Sequence, residues 1–410
     1  MSGSHHLSPA SQNNNKESQF ASERFILLFN FGLLLLLTFF GTPFSKFRIM
    51  GPLYLHDVLL LLGAGIALLL KPRSFPYRSV IIIVGISLIY LVYSLFHYSS
   101  GPLIILRQFA LFGYLACYYL LNRHDSNDHS KIIERFLISF SWVAIALQCI
   151  FIIYLVAFGE FDPFDFHNHY WYSPAVVIGL IVAAATVLLY VKNIVLRFIL
   201  FCFVLLLCWT TGHASAQLSV LAILGAYGIL KLAGWKKIIS VMGGIAIAIA
   251  LLNFAPQFKD KNSDWRVLTW GYLLKELSVD YYGVLGKGFG APYFSVALEE
   301  YLYKKISSTA IQERGKPDER YLSPPHNSFV TIFFSIGIIP GMLLFIPFRY
   351  ILYDLRKTMK DITKVNGLLL LSLIGLTVWT AFNVVLELPH AAGFFWFVYF
   401  SYWGLMKKSP

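Results

Sequence analysis

The 410-residue chain is 57% hydrophobic and 17% aromatic, with 13% charged residues and a mean hydropathy of +0.65. Soluble domains carry about a quarter charged residues, so a soluble globular protein is excluded and a polytopic membrane protein is indicated. The formal charge of +12 would suit a nucleic-acid binder, but its distribution along the chain makes it a topology signal instead.

Residues 1–24 are polar, lack an apolar stretch followed by a small-residue cleavage site, and read as a disordered cytoplasmic tail. Apolar runs follow near 25–42, 57–70, 79–96, 102–121, 136–158, 174–191, 195–211, 218–234 and 238–255. Three more lie near 327–348, 367–386 and 390–406. Lipid leaves backbone polar groups no partner outside the segment, so each run is expected to be a helix. The expected fold is all-α and polytopic, with about twelve transmembrane helices: nine over 25–255, three over 326–410, and a 256–325 loop between the ninth and tenth.

With the N-terminus inside, twenty of the 33 basic residues fall on the inner side with seven acidic ones; the outer side holds thirteen and fourteen. The positive-inside rule then places both termini in the cytoplasm and 256–325 outside. The four cysteines, Cys117, Cys149, Cys202 and Cys208, all sit in apolar runs, with no metal-type spacing and no loop disulfide framework.

The long loop is where function is expected, since connections are normally a few residues. "SDWRVLTWGYLLKELS" (263–278) reads as an amphipathic helix resting at the membrane interface, with Val267, Trp270, Leu274 and Leu277 on its apolar face. "GVLGKGFGAPY" (283–293) reads as a tight turn whose backbone amides are available to an anion; it lacks the context of a phosphate loop. "PYFSVALEEYLYKK" (292–305) is expected to be a second helix with Phe294, Leu298, Tyr301 and Leu302 on one side. The polar stretch 307–323 is expected to be mobile and leads into "PPHN", which sets His326 and Asn327 at the start of the tenth run.

Asp264-Trp265-Arg266 with Trp270, then Gly286-Lys287-Gly288-Phe289-Gly290, then His326-Asn327 followed nine residues later by Gly337, resembles the pattern of the O-antigen ligase and polymerase superfamily. The motif region covers roughly 260–345, and twelve spans with one large outer loop extend the resemblance to the rest. Two departures stand out: Pro340 occupies a position where the family's ligases carry Gly, Thr or Tyr. "TTGHASAQ" (210–217) offers His213 where the family shows a Ser-Arg pair.

The resemblance implies a GT-C-like bacterial inner-membrane glycosyltransferase. It would transfer a glycan from an undecaprenyl-pyrophosphate carrier to an acceptor sugar hydroxyl on the periplasmic face. Arg266 and Arg107, the latter within "GPLIILRQFALF", are the expected diphosphate-binding guanidiniums, with Lys287 a further contact. His326 is the expected general base, its neutral imidazole suiting an unperturbed pKa of about 6.5. Asn327 and His213 are read as orienting or acceptor-side groups. No metal or other cofactor is required by this scheme. The expected partners are the lipid-linked glycan, an acceptor glycan or lipid A-core, and a chain-length regulator; nucleic acid is not among them.

Plainer readings compete with each residue. His326 and His213 are also what polar groups at helix starts look like. Arg266 also suits a lipid headgroup, and Arg107 a structural partner. His167 and His169 in "DPFDFHNHYWYSP" have a metal-pair spacing but also suit an interfacial aromatic belt. Glu387 and His390 in "LELPHAAG" form a second acid–base candidate. At the level of function, polymerase is preferred over ligase because of the missing arginine and Pro340. A flippase or transporter of lipid-linked sugar is the alternative of another class, disfavoured because the two halves do not match and polar residues gather in one loop.

Overall fold

The structure, a computed structural model, describes residues 9–45, 47–50, 53–70, 77–122, 126–159, 174–254, 261–279, 281–305, 311–312, 315–317 and 319–406. The His167/His169 pair lies outside them. The fold is all-α. Among the described residues, seven helices are long and apolar enough to cross a membrane, and three shorter apolar helices accompany them.

Among the described residues nine helices precede the long loop: α1 (Pro9–Ser45), α2 (Leu55–Leu70), α3 (Arg78–His97), α4 (Pro102–Leu121), α5 (Ser126–Ala157), α6 (Pro174–Tyr190), α7 (Ile194–Thr210), α8 (Ala214–Lys231) and α9 (Lys236–Phe254). Two short strands, Arg48–Met50 and Leu53–Tyr54, pair antiparallel before α2. α1 begins at Pro9, which suits a first helical position, so residues 9–24 extend the helix rather than forming a disordered tail.

The centre of the molecule is α6 together with the last two helices, α17 (Lys364–Phe382) and α18 (Pro389–Met406). α6 is buried from Ala175 to Leu188 and α18 along almost its whole length. Helices apolar on every side are the ones a bundle encloses. Small residues on α6 allow close approach: a Cβ on Gly179 would lie 2.2 Å from Ala144 Cβ on α5.

The expected continuous tenth span is broken. It runs as α14 (Ser328–Ile336), α15 (Ile338–Met342), a 3-10 turn (Leu343–Phe345) and α16 (Phe348–Arg356). Gly337 at φ 84° interrupts the helical path, and Pro340 and Pro347 punctuate the remainder of the run. Hydropathy detects the apolar run but is blind to these backbone breaks.

The loop folds into α10 (Lys261–Leu277), α11 (Tyr282–Leu285), α12 (Val296–Tyr303) and α13 (Glu319–Leu322). Its own core joins Leu273 and Leu277 to Phe294, Leu298, Leu302, Val330 and Phe334. α12 buries the expected face, Leu298 and Leu302 with Phe294 just before it. α10 does not. Its buried stripe is Trp265, Thr269, Leu273 and Leu277, whereas Val267 and Leu274 are 61% and 44% exposed. Both sets have helical spacing; packing against α12 and α14 selects the first.

Of the stretch 307–323, residues 307–310, 313–314 and 318 lie outside the described residues. Arg320 pairs with Glu299 and donates to the carbonyls of Gly315, at 2.9 Å, and Phe294, at 3.2 Å. Phe294 N returns a bond to Arg320 O at 3.1 Å. One guanidinium, with its fork of donors, thus ties α13 to Glu299 of α12, Phe294 and Gly315.

Candidate functional site

The glycine segment is built to touch α14. Lys287 N donates to Phe334 O at 2.7 Å and Gly288 N to Ser335 O at 2.9 Å. The next two amides reach the first bundle: Phe289 N to Ser94 Oγ at 2.8 Å, and Gly290 N to Gln108 Oε1 at 2.6 Å. Four successive amides are therefore satisfied inside the protein. The expectation that this turn presents its amides to an anion is corrected: the glycines are there to let two backbones meet.

Gln108, which sequence reading passed over, is the joint between loop and bundle. Its amide nitrogen donates to Ala291 O at 3.0 Å and Tyr321 O at 2.9 Å, while its oxygen takes the Gly290 amide. The available signal was an Arg-Gln pair in an otherwise apolar helix.

His326 is set by the chain around it. Its amide donates to Pro324 O at 2.8 Å, closing a γ-turn over Pro325. Its own φ is +55°, the one positive φ outside glycine among the described residues. Such a conformation costs of order 1–3 kcal/mol and persists where surroundings impose it. The surroundings are clear. Trp270 Nε1 donates to Pro325 O, and Asn327 Oδ1 accepts from Phe329 N at 3.0 Å and Val330 N at 3.1 Å. Asn327 is thus the N-cap of α14, its carboxamide oxygen engaged with that helix.

α10 brings its first turn against this bend. The Trp265 and His326 rings meet edge to face at 5.6 Å, and the Arg266 guanidinium lies 6.0 Å from the centre of the Trp265 ring. Trp265 and His326, 61 positions apart in sequence, are thus in contact, and Arg266 is the next residue of α10.

Arg107 stands on the other side of the same bend. It faces a cavity of about 50 Å³ with Gln108, Tyr293, Tyr321, Pro324 and Glu387. Its Nη1 donates to Tyr114 Oη at 3.3 Å, and Tyr114 Oη donates to Asp57 Oδ1 at 2.8 Å. The guanidinium also lies 4.9 Å from the centre of the Tyr54 ring. The cation is therefore anchored on one side and open to the cavity on the other.

Below the bend a polar relay joins three helices. Ser328 Oγ donates to Glu387 Oε2 and accepts from Val385 N and Leu386 N at 3.0 and 3.1 Å. Asn383 Nδ2 donates to Ser215 Oγ at 2.6 Å, which ties in the start of α8. His213, the residue before that helix, forms its N-cap position without a side-chain cap bond. Burial pushes the Glu387 carboxyl above the usual carboxylate range, against the opposing pull of Ser328, Thr331 and nearby backbone amides.

Lys287 is placed apart from these groups. Its ammonium pairs with Glu276 of α10 and lines a cavity of about 590 Å³ with Tyr90, Tyr93, His97, Tyr98 and Tyr282. Tyr98 Oη donates to Lys287 O, and burial, with Tyr93 and Tyr282 nearby, pushes that phenol up to about 12, so it stays a donor. Among the described residues no group of three or more His, Cys, Asp or Glu stands at metal-binding distance. No protein-family profile matches this chain, and no curated protein matches it.

Proposed function

We propose that this chain is a membrane glycosyltransferase that joins a glycan carried on a polyprenyl diphosphate to an acceptor sugar hydroxyl, acting as an O-antigen or exopolysaccharide polymerase. The observation that carries the reading is the Trp265–His326 contact, which sets the α10 turn bearing Arg266 against the strained bend, with Arg107 lining a cavity together with Pro324 of the same segment. The membrane-length helices support it, since the donor is a lipid.

In the reaction the acceptor oxygen attacks the anomeric carbon. The bond from that carbon to the diphosphate oxygen breaks, and the lipid diphosphate leaves with the electron pair. His326 takes the proton from the acceptor hydroxyl. Arg266 and Arg107 neutralise the charge gathering on the phosphate oxygens, paired donors matched to paired acceptors. Trp265 fixes the spacing between base and cation. Lys287, already paired with Glu276, lies outside this scheme. The reading also takes the remaining apolar helices as spans, twelve in all, in a bacterial inner membrane with both termini cytoplasmic and the site on the periplasmic face.

The test is deletion of the gene followed by electrophoresis of the surface polysaccharide. A polymerase reading expects a core bearing a single repeat unit. A bare core with polymer accumulating on the carrier lipid would make the enzyme a ligase. A bare core with single lipid-linked units trapped on the inner face would make it a flippase.

A further inference from the structure

Arg107 sits on a membrane-length helix, where a guanidinium is costly unless it has a partner. Its partner is indirect. Arg107 and Tyr114 are seven positions apart on α4 and so share a face. Helix side chains lean towards the N-terminus, which brings the phenol back to the guanidinium. Arginine cannot accept a hydrogen bond, so Tyr114 Oη receives Nη1 at 3.3 Å, and its one proton goes to Asp57 Oδ1 at 2.8 Å. Asp57 makes its own contact with His56 Nδ1 at 3.5 Å, and its link to Arg107 runs through the phenol. His56 is fully buried, and its Nε2 lies 3.1 Å from Tyr118 Oη, one turn further along α4.

The second oxygen of Asp57 serves the same guanidinium by another route. Asp57 stands in the first turn of α2, and Oδ2 accepts from Tyr54 N at 3.0 Å, the reach of an acidic side chain back to the amide just before its helix. That bond holds Tyr54, whose ring centre lies 4.9 Å from the guanidinium carbon of Arg107. Capping of α2 alone accounts for Oδ2. It does not account for Oδ1, which is engaged with a phenol on another helix, 57 positions away. One carboxylate therefore holds the hydrogen-bonding partner and the aromatic partner of Arg107, one with each oxygen.

The indirect route has a chemical consequence. A bidentate carboxylate would occupy two of the five guanidinium donors and neutralise the charge at contact distance. The interposed phenol takes one donor and keeps the carboxylate away. Among the described residues four donors are then left for a guest of the cavity that Arg107 lines with Gln108, Tyr321 and Pro324. Donors fixed before a charge arrives stabilise it more than donors that must first reorganise.

We propose that Asp57 is a positioning residue that, through Tyr114 and Tyr54, fixes Arg107 so that its remaining donors meet a phosphoryl oxygen in that cavity. Asp57 acts through the arginine and transfers no proton. Taking the phosphoryl group as that of the lipid diphosphate rests on the glycosyltransferase reading.

The experiment is calorimetric titration of the purified full-length protein with inorganic pyrophosphate, for the native chain, Arg107→Gln, Tyr114→Phe and Asp57→Asn. Tyr114→Phe and Asp57→Asn are also each combined with Arg107→Gln. Arg107→Gln is expected to bind about tenfold more weakly than the native chain. Tyr114→Phe and Asp57→Asn are each expected to bind about five- to tenfold more weakly, the scale of one lost hydrogen bond to a charged group. A residue that merely supported the fold would weaken binding whether or not Arg107 is present. Adding Tyr114→Phe or Asp57→Asn to Arg107→Gln is therefore expected to bring no further loss.

A further loss on the Arg107→Gln background would overturn the proposal. So would native affinity in Tyr114→Phe, or a native chain that binds no pyrophosphate. Should Asp57→Asn fail to fold, Tyr114→Phe, which removes one oxygen and keeps the ring, decides alone. The titration needs no glycan. The expected binding pattern without any polymer product would reject the glycosyltransferase reading and keep this one, and native glycan transfer with undiminished binding by Tyr114→Phe would do the reverse.

Discussion

Gly286 and Gly337 stand back to back. A Cβ on Gly286 would lie 2.4 Å from Gly337 N, and one on Gly337 would lie 2.0 Å from Val284 O. Both contacts are with backbone, which cannot swing aside, and both residues have positive φ, 72° and 84°. Alanine at either position is therefore expected to separate the glycine segment from α14. Gly337→Ala should lower thermal stability by several degrees, measured by size-exclusion chromatography after heating, and should open the loop to protease. An alanine variant as stable as the native chain would show that this contact is not needed.

His326 offers the opposite relationship between stability and activity. Glycine accepts a φ of +55° without penalty, so His326→Gly is expected to match or exceed the native chain in thermal stability while losing glycan transfer. His326→Ala keeps the strain and should lose transfer with a small further loss of stability. Thermal unfolding and product analysis on the same samples check both. Transfer by His326→Gly would remove the imidazole from the mechanism.

Asn327 is expected to act through α14 rather than through the imidazole. Replacing a capping side chain by alanine costs about 1 kcal/mol, and Asp or Ser restores most of it. Asn327→Asp and Asn327→Ser should therefore recover the stability that Asn327→Ala loses, and transfer should track stability across the series. Transfer abolished equally in all three would assign Asn327 to the chemistry.

The Glu387 carboxyl gives stability a pH dependence of definite sign. Its folded-state pKa is raised above the ordinary value of 4.5 by burial, so over the interval between the two values the folded chain holds the proton and the unfolded chain does not. Stability from this group is then greatest at acid pH and falls as pH rises through that interval. Glu387→Gln should flatten this part of a plot of melting temperature against pH. A native profile unchanged by the substitution would mean the carboxyl does not titrate on unfolding.

Much of the bundle was legible because hydropathy and length report directly on burial in a bilayer. The α12 face was legible for the same reason, with Phe294, Leu298 and Leu302 at helical spacing. α10 was harder: two stripes that share Leu277 both have helical spacing, and only the partner surface of Leu298, Leu302 and Val330 decides between them. The bend at His326 was visible as Pro-Pro-His-Asn, yet its φ and its γ-turn belong to tertiary packing. Gln108 was invisible as a joint, because its three partners, Gly290, Ala291 and Tyr321, lie more than 180 residues away.

The central claim is that Arg266 and His326 act together on a lipid-linked diphosphate donor. Its most direct test is transfer in vesicles containing the purified protein, a polyprenyl diphosphate-linked glycan and an acceptor, with chromatography of the lengthened glycan. The native protein is expected to lengthen the glycan and release polyprenyl diphosphate. Arg266→Ala and His326→Ala are expected to fall by about 100-fold or more each, the scale of lost charge stabilisation and general-base catalysis. Native-level lengthening by both variants would contradict the account.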